Sequence, residues 1–360
     1  MLRIGDRRNV FYWQTDRNLS PEDYEKYFLK RHETDSMEIV TILRNGIKSI
    51  ADIKDIEIVE PDENVKRGNV NIVRKIRING ALYIARMHPK GIKNEYFYVE
   101  KLALIEAVKA SLPVPEIVEV HEGTGEDDMD FVLMTSSPGV TMESAIQTNK
   151  DLEGVLLHDA GSLMAQLHTV RVEGFGSFNN EVAKKEGRLV GLHKSYKDFV
   201  WCGLEENLDR LVRFKVIDKA QSEMFKKVFK KNNYEPLEGS RLVHNDFADW
   251  NILVDGGKVS ALLDWDECHA GDPIADLACW STFFKMDRFK TFVEGYKANA
   301  TLPKDFEQRF HYYRLRYIIS KMALRTKRAL VDKSEFIQEK IKAGKLALFE
   351  ELQWIEANSS

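Results

Sequence analysis

One stretch of the 360-residue sequence concentrates side chains able to do chemistry: His244, Asp246, Asn251 and Asp264. Between the last two, Ile252-Leu253-Val254, the turn Asp255-Gly256-Gly257 and residues 259–263 (VSALL) read as a β-hairpin. An antiparallel pair brings its open ends together, so Asn251, just before the first strand, and Asp264, just after the second, are expected side by side. His244-Asn245-Asp246 enters the same end, so one amide and two carboxylates share a mouth. An amide oxygen and a carboxylate are hard ligands that suit Mg2+, an ion that keeps several waters and takes phosphate oxygens beside one or two protein ligands. The remaining carboxylate, Asp246, is left to orient and deprotonate a hydroxyl. His244 is expected to fix the loop rather than act as the base, because the neighbouring aspartate already fits that task.

The spacing H-x-D-x4-N, closed by an aspartate at a strand end, is the catalytic arrangement of kinase-like folds. Alone it is a weak pattern; the D-W-D-x4-G-D-P-x-x-D-L-A run that follows makes it specific. LVHNDFADWNILVDGGKVSALLDWDECHAGDPIADLACW resembles the signature of the aminoglycoside phosphotransferase and choline kinase superfamily. The likeness extends from about Glu57 to Trp280, through YIARM, EKLALIEAVKASLPVPEIV, FVLMTSSPGVTM and LLHDAGSLMAQLH. GFGSF and the helix opening near Tyr196 are similar to hygromycin phosphotransferases in particular.

The resemblance implies an α+β, two-lobed protein-kinase-like fold, with a small lobe of five antiparallel strands plus a helix and a large, mostly helical lobe. It implies ATP (or GTP) as donor, Mg2+ as cofactor and a small-molecule hydroxyl as acceptor. By the same resemblance Asp246 is the base, and Asn251 and Asp264 hold the metal. Arg86 takes the place of the phosphate-binding cation, with Glu100 as its helix partner. Thr135 and Ser137 meet adenine through backbone groups, and the Gly68 to Asn71 turn covers the phosphates. That turn has no G-x-G-x-x-G and no P-loop lysine motif. Asp272 and Asp276 brace the loop, and Asp266 and Glu267, which follow the metal aspartate directly, are expected to touch the acceptor.

Two of these assignments have support from the residues themselves. Arg86 shares strand parity with Leu82 and Ile84, which places a permanent cation on an apolar face. Glu100 falls on one helical stripe with Tyr96, Ala103 and Ala107. Pairing the two accounts for both charges at once. A zinc site from Asp266, Cys268, His269 and Asp272 lacks paired metal-ligand spacing. No G-x-S-x-G or reactive-cysteine context points to covalent catalysis. His168, at the end of an apolar helix, reads as a packing residue.

The elements that must position these groups are legible in outline. Residues 1–54 read as a helical extension, with Ser20-Pro21 opening a helix towards Arg31 and a second helix at roughly 36–45. Residues 55–137 read as the nucleotide-binding lobe: strands at 56–60, 70–78 and 82–87, a helix at about 92–110, then strands at 116–120 and 131–135. Asn79-Gly80 is the hairpin turn between the second and third strands. Residues 138–360, after Pro138-Gly139, read as the catalytic and substrate-binding helical lobe, with the 252–263 hairpin as its one β interruption. Phe306, Phe310, Tyr313, Tyr317 and Leu324 share one helix face, and Ile337, Ile341, Leu348, Leu352 and Ile355 another.

With 53 basic and 57 acidic side chains, the net charge of −4 gives no general reason to expect nucleic acid or an anionic membrane as partner. No apolar run is long enough to span a bilayer, and the N-terminus carries charges where a signal peptide needs an apolar core. Three cysteines are too few for a disulfide framework, so a cytoplasmic setting is expected. The acceptor stays open: an aminoglycoside-like antibiotic first, with a macrolide, choline or ethanolamine, a sugar or a homoserine-type metabolite as alternatives. A protein kinase is disfavoured because V-A-I-K, D-F-G and A-P-E are missing. A non-catalytic pseudokinase is disfavoured because the base and both metal residues are present. Oligomeric state leaves no signal in the sequence.

Overall fold

The computed structural model describes residues 2–30, 34–59, 71–125, 128–232 and 234–358. Gly68, in the turn expected over the phosphates, lies outside the described residues.

Alternating β-branched and large apolar residues build a five-stranded antiparallel sheet, in the spatial order Ile56–Ile58, Ile72–Ile78, Ala81–Met87, Phe131–Thr135, Ile117–His121. The Asn79-Gly80 turn pairs Ile78 with Ala81. One face packs Ile72, Ile76, Ala85, Met87, Phe131 and Leu133 against Ile39, Ile42 and Leu43 of helix Ser36–Gly46. The second helix of the anticipated extension is therefore the back cover of this sheet, and the small lobe holds two helices rather than one. The other face receives helix Phe97–Lys109 through Val99, Ala103 and Ala107. That helix starts five residues later than the periodicity suggests, because Ile92–Lys93 forms a short strand and Glu95 takes a left-handed backbone at φ +55°.

The first twenty residues depart from the expectation of a helical extension. Helix Pro21–Lys30 forms, but Leu2–Arg3 is a strand paired in parallel with Ile92–Lys93, and residues 4–19 run without helix across both parts of the molecule. Their aromatic run explains why: Phe11, Tyr12 and Trp13 are all buried, which a solvated helix would not allow.

Beyond Gly139, whose φ of +107° lets it pass against the Val254 carbonyl, Val140–Thr141 joins the hairpin Ile252–Asp255 and Lys258–Leu262 as a third strand. A second β element was not anticipated. Gly191–His193, Phe175–Phe178, His269–Gly271 and Arg241–Val243 form a four-stranded antiparallel sheet. It pairs Val243 with His269, so the chain entering the His244 loop and the chain leaving Asp264 are laced together. The rest is helical. Helices Glu153–Leu167 and Met286–Lys297 cross closely at Gly161 and Gly295, where any Cβ would come 1.9 Å from a backbone carbonyl of the other helix. Helix Phe306–Arg328 buries Phe310, Tyr313, Tyr317 and Leu324, and also Arg309, Arg316, Ser320 and Lys321, so it is surrounded rather than amphipathic. Helix Glu335–Asn358 packs on it through Ile337, Leu348, Leu352 and Ile355.

Candidate active site

Strand Arg241–Val243 delivers His244, Asn245 and Asp246 to the cleft. The chain turns at Asn245, whose φ of +66° needs support from its surroundings. Asp276, from helix Pro273–Ser281, supplies it: the carboxylate accepts the backbone N–H of His244 and of Asn245, each at 2.9 Å, and bonds His168 Nε2 at 3.2 Å. Burial works against ionisation of Asp276, but the bonds to His168 and to the loop outweigh it and hold the carboxyl below its ordinary range. The Asn245 side chain accepts the Tyr317 hydroxyl at 2.7 Å and donates to Glu267 at 3.3 Å. His244 Nδ1 accepts the Asp246 N–H at 3.3 Å, and its Nε2 bonds the Leu263 carbonyl at 3.0 Å. Burial lowers this imidazole to about 4, so a neutral ring ties the Asp246 loop to the strand that ends at Asp264. Asp272 caps helix Pro273–Ser281 through the Ile274 N–H at 2.9 Å and accepts from Tyr313 and Arg309.

Asp246 is partly exposed at the cleft. Asn251 Nδ2 donates to its backbone carbonyl at 2.9 Å and to its Oδ2 at 2.7 Å, which leaves Oδ1 as the free acceptor of that amide. Burial first, and the Asp264 charge second, push the Asp246 carboxyl up to about 7. The hairpin register Ile252↔Leu262 and the bond from Leu263 N–H to the Asn251 carbonyl, 2.7 Å, bring Asn251 and Asp264 to the same end. Asp264 sits at φ +61° with its side chain half exposed.

From the sheet, Arg86 Nη1 reaches Asp264 Oδ1 at 3.1 Å, while Nη2 donates to Glu100 Oε2. Arg86 and Glu100 are 8% and 3% exposed, so this is a buried pair spanning strand and helix. Burial alone would weaken the guanidinium's charge; Glu100 and Asp264 more than compensate. Burial pushes Glu100 itself up to about 7 even with Arg86 beside it. Arg86 Nε has no hydrogen-bond partner among the described residues. At the strand end leading to Pro138, Thr135 spends its N–H on the Glu116 carbonyl and its oxygen on the Glu116 N–H, and Ser137 is partly exposed beyond it. Asn71, just before strand Ile72–Ile78, keeps a buried Oδ1 without a partner among the described residues.

Asp266 and Glu267, the anticipated acceptor contacts, are held by the N-terminal segment instead. Asp266 Oδ1 accepts from Arg7 at 2.5 Å and Asn94 at 3.3 Å, and Glu267 accepts from Gln14 and Asn245. Asp249 pairs with Arg288 at 2.6 Å, and Glu205, Glu206 and Asp209 lie on a solvated helix face. Sequence reasoning missed Arg7, Gln14 and Lys321. Lys321 is 5% exposed; its Nζ donates to the Thr282 hydroxyl and sits 3.5 Å from the Phe283 ring centroid. Burial lowers its pKa, against the pull of the Asp246 and Glu267 charges nearby. A signal for the first two existed in Phe11-Tyr12-Trp13, too apolar a run for a solvated leader; Lys321 gave none.

A loop that carries an aspartate, an Asn–Asp pair at a hairpin mouth and a buried Arg–Glu pair facing them match the parts of a kinase-like phosphotransferase. The chain belongs to the phosphotransferase enzyme family (APH), whose model matches residues 68–317. It is 20% identical over 259 residues to the hygromycin-B 4-O-kinase of Escherichia coli, covering 70% of this chain and 69% of that protein. The fold is similar to that of a thermostable mutant of aminoglycoside phosphotransferase APH(4)-Ia in ternary complex with AMP-PNP and hygromycin B. There the TM-score is 0.61 at 18% identity, covering 87% of this chain and 99% of that one. Wild-type aminoglycoside 2'-phosphotransferase-IIIa in its GDP complex is similar at a TM-score of 0.57 and 16% identity, over 89% and 99% of the two chains. No helix among the described residues is long and apolar enough to cross a membrane.

Proposed function

We propose that this protein is a Mg2+-dependent kinase that transfers the γ-phosphoryl group of ATP or GTP to a hydroxyl of an aminoglycoside-like aminocyclitol, with Asp246 as base. The observation that carries the reading is the Asp246 carboxylate, steered by Asn251 and open to the cleft beside Asp264. The donor set fits Mg2+: Asn251 Oδ1 takes no hydrogen bond among the described residues, the Asp264 carboxylate is half exposed, and both are hard oxygens. When bound, the ion neutralises phosphate charge. Arg86, whose buried Nε has no partner among the described residues, offers the phosphates a cation fixed by Glu100. Asp246 accepts the proton of the acceptor hydroxyl as that oxygen bonds the γ-phosphorus and the bond to the bridging oxygen breaks, releasing the nucleoside diphosphate. A carboxyl raised to about 7 is well matched to that proton at neutral pH.

The Asp246 and Asp264 carboxylates, partly and half exposed at the cleft, suit a cationic acceptor. The named activities of its relatives point the same way. Three free, buried cysteines suit a cytoplasmic setting. Nucleotide consumption measured against hygromycin B, other aminoglycosides, a macrolide, choline and a sugar tests the acceptor; turnover confined to the last three overturns it. D246N is expected to lose turnover by at least about a thousandfold while still binding nucleotide. Near-normal turnover in D246N removes Asp246 from the role of base.

A further inference from the structure

Arg7 lies outside the family-matched residues 68–317, yet it reaches the loop that carries Asp264. It is 2% exposed and clamped between the rings of Trp13, 4.1 Å away, and Tyr96, 3.4 Å away. Its Nη1 donates to the backbone carbonyl of Asp266, and its Nη2 to Asp266 Oδ1 at 2.5 Å and to Asn94 Oδ1 at 3.3 Å. Asn94 Nδ2 donates in turn to the same Asp266 oxygen. The guanidinium therefore grips main chain and side chain of one residue together, which fixes position and tilt as a point-charged ammonium cannot.

That residue stands two places after Asp264, whose backbone at φ +61°, ψ +70° is left-handed. For a non-glycine residue this conformation is unfavourable and persists only where neighbours hold it. The holding segment is itself fastened at both ends. Leu2–Arg3 pairs with Ile92–Lys93, and Asp16 takes Arg328 at 2.8 and 2.7 Å, while Lys327 donates to the carbonyls of Asp16, Arg17 and Leu19.

We propose that Arg7 is a positioning residue for the metal site, holding the Asp266 backbone so that Asp264 keeps its carboxylate in the cleft. This rests on the reading of Asp264 as a metal ligand. The test is Mn2+ affinity of the full-length, AMP-PNP-bound protein, read by paramagnetic resonance of the free ion, in wild type, R7A, R7K and D264N. Metal-free nucleotide binding is measured beside it. R7A is expected to weaken Mn2+ binding about tenfold or more and to leave metal-free nucleotide binding unchanged. Where R7A lowers the folded fraction, R7K decides, because lysine keeps the charge between the rings but loses the two-point grip; it too is expected to weaken Mn2+. Folded R7A or R7K with wild-type Mn2+ affinity overturns the proposal. Unchanged affinity in D264N overturns the metal reading instead, independently of Arg7.

Discussion

Asp276 carries two backbone N–H groups of the His244–Asp246 loop on one carboxylate. D276N leaves a single carbonyl oxygen for both, so a buried donor faces an NH2 group. The expected cost is about 1–3 kcal/mol of stability, read from urea unfolding at pH 7. The pH dependence follows from the sign of the shift. The folded carboxyl lies below its ordinary value, so its contribution is complete above about pH 4 and fades as pH falls through the lower folded value. The gap between wild type and D276N is expected to close only in that acid range; a gap that closes on raising the pH contradicts the assignment. At this scale Asp246, Asn251 and Asp264 were legible because a hairpin makes their meeting local. Arg7 was not: 259 residues separate it from Asp266, and no periodicity encodes such a contact.

Among elements, the crossing of Glu153–Leu167 with Met286–Lys297 sets the floor beneath the hairpin. Helix propensity alone favours alanine over glycine by about 1 kcal/mol. Packing opposes it, since a Cβ at Gly161 would meet the Phe292 carbonyl and one at Gly295 the His158 carbonyl. G161A and G295A are each expected to lower Tm, with overpacking costing about 1–3 kcal/mol; a raised Tm in either means the helices separate without penalty. The five-stranded sheet was legible because four of its strands run five to seven residues and one turn is Asn-Gly. The four-stranded sheet was not, because each strand is three or four residues long and its partners lie far apart in the sequence. Helix Ser36–Gly46 was legible as a helix, but nothing in its own stripe names the sheet it covers.

For the whole molecule, two of the links that join the sheet-bearing part to the helical part lie around the cleft: Arg86 with Asp264, and the segment running from Leu2 to Leu19. The second closes on the Asp16–Arg328 pair, whose carboxylate is 4% exposed. D16A, R328A and the double variant form a cycle in which a coupling of about 1–3 kcal/mol is expected, by denaturant unfolding. Additive losses make the pair incidental to how the segment is fastened. Net charge said nothing about either link, because a near-neutral sum hides a few buried charges placed face to face.

The Asp16–Arg328 clasp also sets a schedule. Its halves are 312 positions apart in the chain, so at ribosomal speeds roughly 15–60 s separate their synthesis. Through that interval Phe11 has no Tyr317 to lie against, and the aromatic run stays open to chaperones or to other nascent chains. A message truncated just before codon 328 yields a polypeptide with the whole Asp246 and Asp264 loops but with the segment beside them missing the Asp16–Arg328 pair at one of its two fastenings.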